Sequence, residues 1–402
     1  MALPTTLTSY AGAPDGIAWV GPFISSAGNV YVLGYNSGST RLSYWKATDP
    51  TSSFTETSIA TGQVVNSIAA HQVGDVVHVI AGYGSGQYSY VTLNMATDTT
   101  GSLQIVAGLT PKNYSGGIAK RSTGGDVIVF YNATGQTVMG KTYGRVAAKR
   151  IAGGTTAGAV TTIGLAPTDT TTQQVESVDS VVFASSDRVH LFWSQGNATA
   201  GSASTLFGRC VKSSDNLDGT APATAAYTIS AAALASVNVD DAMRTSGQSF
   251  CSAGGVLSLA YETSGLAGNT ATATDADTPS WSAVSNNAGT ITVGAVGNTN
   301  RCARWGGNPF DGTNKYATWA LTTTGPYYSA DTGSGWSAGT RINTGDTSVT
   351  NVSANIFQRG TNIVLALVYD SSGTWLYDEV VLRAAAAGQV PYVNPMPQLL
   401  AQ

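Results

Sequence analysis

The chain has 402 residues and a formal net charge of −4, from 19 Lys and Arg against 23 Asp and Glu; only 10% of its residues are charged. So few charges exclude a coiled coil or helical bundle, which needs Glu, Lys and Arg in quantity, and they leave no basic stripe to neutralise the phosphates of a nucleic acid. A 42% hydrophobic content supports a large core, and no run of 18 apolar residues exists to insert in a membrane.

In chain order, the opening Met1-Ala2-Leu3-Pro4-Thr5-Thr6 lacks the basic-then-apolar pattern of a signal peptide. A strand-like piece follows at residues 5–10. Then a short turn followed by an apolar run recurs seven times. The turns are Gly28-Asn29, Gly74-Asp75, Gly125-Asp126, Ser186-Asp187, Gly254-Gly255, Thr313-Asn314 and Thr361-Asn362. Asn, Asp or Gly supplies the positive φ of a tight turn, and the β-branched and aromatic run after it suits a buried strand. After each run a third strand is predicted, such as Arg41-Leu42-Ser43-Tyr44-Trp45 or Tyr88-Ser89-Tyr90-Val91. A more polar fourth follows, at 54–59, 289–293 or 339–343. The spacing of the turns, 46 to 68 residues, sits slightly above that of a four-stranded propeller blade.

The seventh unit lacks a fourth strand of its own. After Arg383 the sequence turns to Ala384-Ala385-Ala386-Ala387-Gly388 and a Pro-containing tail. The expected fold is therefore all-β: a seven-bladed β-propeller of four-stranded antiparallel blades over residues 1–388, with the N-terminal strand, 5–10, closing the last blade. Closure removes open sheet edges. Residues 389–402 are expected to be a tail, a possible attachment peptide.

One segment carries a specific signature. Ser329-Ala330-Asp331-Thr332-Gly333-Ser334-Gly335-Trp336 matches S-x-D-x-G-x-x-W, the Asp-box, and degenerate copies sit at Asp49, Asp98, Asp215 and 275–281. The chain thereby resembles the sialidase-like, Asp-box class of propeller. The resemblance implies that Ser329, Asp331, Gly333 and Trp336 are structural, with the Asp tying the turn and the Trp packing between blades. Enzymes of that class bring together three Arg, a Tyr–Glu nucleophile pair and an acid/base Asp. Their first Arg lies in an Arg-Ile-Pro motif, where this chain reads Gly21-Pro22-Phe23-Ile24-Ser25. Arg244, Arg304 and Arg359 precede buried runs and are expected to point inward, three of twelve Arg falling there being near chance. No catalytic residues are assigned, so the expectation is a non-enzyme, with a sialidase-like glycoside hydrolase as the alternative.

Trp19, Trp305, Tyr327 and Tyr328 fall near strand ends or loops, and Arg304 adjoins Trp305; these five are the candidate ligand-binding residues, since aromatic rings stack on sugar faces and guanidinium groups hydrogen-bond to them. The competing expectation is that the rings fill gaps between blades. His71, His78 and His190 show no metal-ligand spacing, and no metal or other cofactor is expected. Cys210, Cys251 and Cys302 read as small buried residues, with a Cys251–Cys302 bridge left open. The Ser/Thr/Gly/Ala-rich, Lys-poor style is similar to that of tailed-phage virion and minor tail proteins. That similarity implies a virion location reached by host lysis, with other virion proteins and cell-surface glycan as partners. A non-phage surface interaction scaffold is the remaining alternative.

Overall fold

The computed structural model describes residues 3–9, 19–62, 64–83, 87–107, 111–120, 126–138, 141–152, 155–156, 161–163, 174–183, 188–197, 204–230, 248–251, 255–262, 268–282, 285–286, 305–307, 314–321, 325–346 and 349–385. Among the described residues there is no helix, and all regular structure is antiparallel sheet.

β1 (Thr5–Ser9) opens the chain. The first sheet is β2 (Trp19–Ile24), β3 (Val30–Asn36), β4 (Arg41–Ala47) and β5 (Thr55–Thr61). The second is β6 (Val65–Val73), β7 (Val76–Tyr83) and β8 (Gln87–Asn94), with β9 (Thr99–Thr100) and β10 (Gln104–Ala107) sharing the outer edge. The third is β11 (Pro111–Lys120), β12 (Val127–Val138) and β13 (Lys141–Ala152), with β14 (Thr155–Thr156) and β15 (Thr161–Thr162) on β13. The fourth is β16 (Gln174–Phe183), β17 (Arg188–Asn197), β18 (Ser204–Lys212) and β19 (Tyr227–Ser230). The fifth is β20 (Gln248–Cys251), β21 (Val256–Glu262), β22 (Gly268–Thr274) and β23 (Ser285–Asn286). The sixth is β24 (Trp305–Gly307), β25 (Lys315–Leu321), β26 (Gly325–Asp331) and β27 (Thr340–Arg341). In the seventh, β28 (Val349–Arg359), β29 (Asn362–Ser371) and β30 (Thr374–Ala384) are joined by β1 as the outer strand.

The seven turn-plus-run units are the second strands: β3, β7, β12, β17, β21, β25 and β29. Gly74 and Gly360, with φ of 58° each, take the left-handed conformation that lets the chain reverse there. The N-terminal strand is where the sequence put it, with Thr5 opposite Tyr377 and Ser9 opposite Thr374. The outer strands differ more from expectation. The predicted strand at 289–293 lies outside the described residues, and the fifth sheet is edged by β23 instead. The predicted strand at 339–343 shortens to β27, because only Thr340 and Arg341 pair with β26.

The buried side chains lie between neighbouring sheets. One cluster joins the seventh, first and second sheets through Tyr377, Trp45 and Val79; others join the second to the third, the third to the fourth, the fourth to the fifth, and the sixth to the seventh. The first strands touch in order, β2, β6, β11, β16, β20, β24, β28, and β28 touches β2 again. Polar side chains lace this inner row. Gln72 Nε2 donates to Ile24 O at 2.7 Å, and the Lys120 amide donates to His71 Nδ1 at 3.3 Å. Between the two ends of the row, Ser353 Oγ donates to Gly21 O at 2.6 Å and Asn355 Nδ2 to Pro22 O at 3.1 Å.

Where the seventh sheet meets the first, Trp19 lies between Trp45 and Trp375, with ring centroids 4.5 and 4.4 Å away. Gly34 is directly opposite Trp19 on β3. A Cβ on Gly34 would stand 2.5 Å from the indole, so the ring lies flat only because that position has no side chain.

Candidate functional site

The Asp-box forms the turn that its residue types dictate. Asp331 Oδ1 accepts the amides of Gly333 at 2.9 Å and Gly335 at 3.2 Å, and both glycines hold positive φ, 97° and 106°. Ser329, fully buried, donates through Oγ to Ser337 O at 2.6 Å, and Trp336 pairs back with Asp331. Lys315 Nζ donates to Asp331 Oδ2 at 3.2 Å. Burial pushes the Asp331 carboxyl up, but the Gly333 amide, Lys315 and the Gly335 amide outweigh it and hold its pKa below the usual value.

Three of the degenerate boxes do something the sequence did not announce: their aspartates reach into the preceding sheet, whereas Asp215 accepts the amides of Lys212 and Ala223 close by in the chain. Asp98, between β8 and β9, accepts Lys46 Nζ at 2.5 Å and the Tyr31 hydroxyl at 2.7 Å, both from the first sheet. The Lys46 and Tyr31 hydrogen bonds lower its pKa. Asp49, between β4 and β5, lies 3.4 Å from Arg359 Nη2 at the end of β28. Asp275 and Asp277, after β22, meet the fourth sheet. His190 sits between the Tyr227 hydroxyl, 2.9 Å from Nδ1, and Asp275 Oδ1, 2.9 Å from Nε2. Arg188 Nη1 lies 3.5 Å from Asp275, and Arg188 Nε donates to Asp277 at 2.8 Å, with Lys212 on its other oxygen. Trp281 adds its ring, edge-on to Phe192 at 5.6 Å. These contacts hold adjacent sheets in register. No local signal foretold them, since the partners stand 52 to 310 residues apart.

The predicted ligand-binding residues separate into three groups. Trp19 corrects the expectation of an exposed ring: it is 1% exposed, enclosed by Trp45 and Trp375. Arg304 lies outside the described residues, as does the side chain of Trp305. Tyr327 and Tyr328 are both half-buried and, as successive strand residues, point to opposite faces. Tyr328 packs against the core shared by the sixth and seventh sheets. Tyr327 lies on the other face, its ring stacked on Trp319 at 5.8 Å.

Register makes Tyr327 part of a row. Trp305 stands opposite Trp319, Trp319 opposite Tyr327, and Tyr327 opposite Arg341, so four consecutive strands place these residues abreast. Sequence reasoning missed Trp319 and Arg341, although the strand alternation of β25 and β27 contained the signal. Arg341 Nη2 donates to Asp346 O at 2.8 Å, while its Nε and the Trp319 Nε1 are buried N–H groups without an acceptor among the described residues. Such donors are costly to leave unpaired.

Arg359 also departs from expectation. It does not point inward alone; Nη1 binds Glu379, whose other carboxylate oxygen receives the Tyr377 hydroxyl. This Arg–Glu–Tyr group has the residue types of a hydrolase nucleophile. Yet Tyr377 is fully buried and packs against Phe54 at 5.3 Å, in the contact between the seventh and first sheets. Burial, followed by the Glu379 charge, raises the Tyr377 pKa well above its usual value. A phenol so enclosed cannot meet a sugar. Arg244 lies outside the described residues. Cys210 is buried with a free thiol, whose pKa burial pushes up to about 12; Cys302 lies outside the described residues.

No model of a known family matches the chain, and no curated protein resembles it in sequence. Solved structures similar to it include an α-L-arabinanase of Penicillium chrysogenum complexed with arabinobiose, 11% identical, with a TM-score of 0.49, covering 94% of this chain and 97% of that one. A Hadza microbial sialidase is 9% identical with a TM-score of 0.47, over 86% of this chain and 74% of that one. The six-bladed fucose lectin of Aleuria aurantia is 11% identical with a TM-score of 0.40, over 80% and 96%. At these identities and scores none of the three transfers a function to this chain.

Proposed function

We propose that the chain is a seven-bladed propeller, closed by β1, that binds carbohydrate on its sixth blade. Support for the ring comes from the seven sheets, the β1–β30 pairing and the return of β28 to β2. The observation that carries the binding reading is the row of Trp319, Tyr327 and Arg341, in which a half-buried phenol is backed by a buried indole and stands opposite a half-buried guanidinium. A pyranose presents C–H faces that pack on Tyr327 and hydroxyls that bond to its phenol and to the Arg341 guanidinium. Few charges elsewhere in the row favour a ligand recognised through hydroxyls.

Binding is placed ahead of hydrolysis because the Tyr377 phenol of the Arg359–Glu379–Tyr377 group is fully buried between two sheets. The test is a glycan array of neutral and acidic saccharides, followed by titration of any hit. Tyr327→Ala should weaken binding at least about tenfold, while exposed Val64→Ser leaves it unchanged. Equal affinity of the Tyr327→Ala chain, or no hit across the array, overturns the reading. A virion setting is the further part of this proposal, resting on sequence style alone. It predicts the chain in purified phage particles by mass spectrometry, and its absence there removes the setting without touching the sugar site.

A further inference from the structure

Arg341 stands at the end of β27, and an arginine head keeps many rotamers unless something holds it. Here the holder is main chain: Nη2 donates to Asp346 O at 2.8 Å. Asp346 is itself gripped from the next sheet. Tyr369, on β29, donates its hydroxyl to Asp346 Oδ2 at 2.7 Å, and Ser371, at the end of the same strand, donates Oγ to Oδ1 at 2.9 Å. A carboxylate held at both oxygens by hydroxyl donors is fixed in place and in plane, and its residue's carbonyl with it. Asn343 ties the loop between: Oδ1 accepts the Gly345 amide at 2.8 Å, and Nδ2 donates to the same Tyr369 hydroxyl at 3.3 Å. Burial, then the Asp346 hydrogen bond, raises the Tyr369 pKa, so the phenol stays a donor.

Gly325, on the strand that carries Tyr327, shows how closely these parts fit. Its φ is 102°, and a Cβ there would stand 2.8 Å from Asp346 O, 3.2 Å from Asn343 O and 3.5 Å from Arg341 Nε. The loop and the guanidinium lie against β26 because that position has no side chain.

We infer that Asp346 is the positioning residue of the sugar site and that Tyr369 and Ser371 are its anchors, so that the seventh sheet sets where Arg341 stands beside Tyr327 on the sixth. The inference rests on the reading of Tyr327 and Arg341 as sugar contacts. Asp346 acts through its carbonyl on Arg341. A guanidinium already held loses little freedom when a saccharide arrives, whereas a freed one must be ordered by the ligand, at about two- to tenfold in affinity.

Two readouts on the full-length chain test this. One is the NMR order parameter of the Arg341 Nε–H, assigned by its disappearance in Arg341→Lys. The other is affinity for the tightest saccharide of the glycan array, titrated as its free methyl glycoside. In Tyr369→Phe with Ser371→Ala the order parameter should fall from about 0.85 to below about 0.6, and affinity should drop about two- to tenfold. Tyr369→Phe with Ser371→Thr, which returns one hydroxyl, should stand between that variant and the parent in both. Tyr369→Phe alone, which keeps the buried ring, carries the test should the double variants unfold. An Arg341 Nε–H as ordered as in the parent overturns the inference, and so does a loosened Arg341 with undiminished affinity. A parent chain that binds no saccharide fails the reading of the site and takes the inference with it; unchanged order in a chain that does bind fails the inference alone.

Discussion

His78 and His190 occupy the same place in the second strands of their sheets, and each sets Nδ1 against a tyrosine hydroxyl, Tyr90 at 2.7 Å and Tyr227 at 2.9 Å. They part at Nε2. His190 meets Asp275 from the following sheet, with Arg188 behind it, whereas the buried Nε2 of His78 has no partner among the described residues. The sequence after β13, Gly153-Gly154-Thr155-Thr156, offers no acid where β22 is followed by Asp275. One residue in the next sheet therefore decides whether the same strand position is a sheet-to-sheet link or only a buried ring. Burial, joined by nearby His71 and Lys120, holds the His78 pKa down at about 3.

Acid should expose this difference most. A histidine of the unfolded chain ionises near 6.5, well above the folded value of His78, so the unfolded state takes up the proton first. Stability is complete above that pH and drains as the pH falls toward 3. His78 alone should cost on the order of 3 kcal/mol by pH 4, read from denaturant midpoints. His71, held at about 4 chiefly by burial, pulls in the same direction. Next in size, Asp275→Ala should lower stability by about 2 kcal/mol at pH 7, because it leaves the buried His190 Nε2 without its partner and Arg188 with Asp277 alone. A loss below about 0.5 kcal/mol would show that the link is decorative. Smallest is His78→Phe, expected within about 1 kcal/mol of the parent at pH 7 since the ring is already half-satisfied. The same variant should flatten the acid limb between pH 6 and 4, and an undiminished slope would move the acid response to other groups.

What could be read from the sequence was local. The seven turns, the runs behind them and the Asp-box at Asp331 depend on residues within a few positions of one another, and the borrowed strand β1 followed from a spare strand at 5–10 and a seventh unit one strand short. Trp19 was misplaced because a strand-end indole looks the same whether it meets solvent or Trp375, and only the far end of the chain settles that. Arg359, Asp49 and Asp98 were visible as residues, but their partners belong to neighbouring sheets. The row of Trp319, Tyr327 and Arg341 needed cross-strand register, which the irregular outer strands concealed. β27 pairs over just two residues.

The pairing of Thr5 with Tyr377 has a consequence for synthesis. A ribosome releases β1 long before β30, so β1 must wait, unmatched, while the strands between them are made. Its hydroxyl-rich Thr5, Thr6, Thr8 and Ser9 suit that wait, since water satisfies them where an aliphatic strand would have sought the wrong companion. The seventh sheet is then completed by a late event, the docking of β1 on β30.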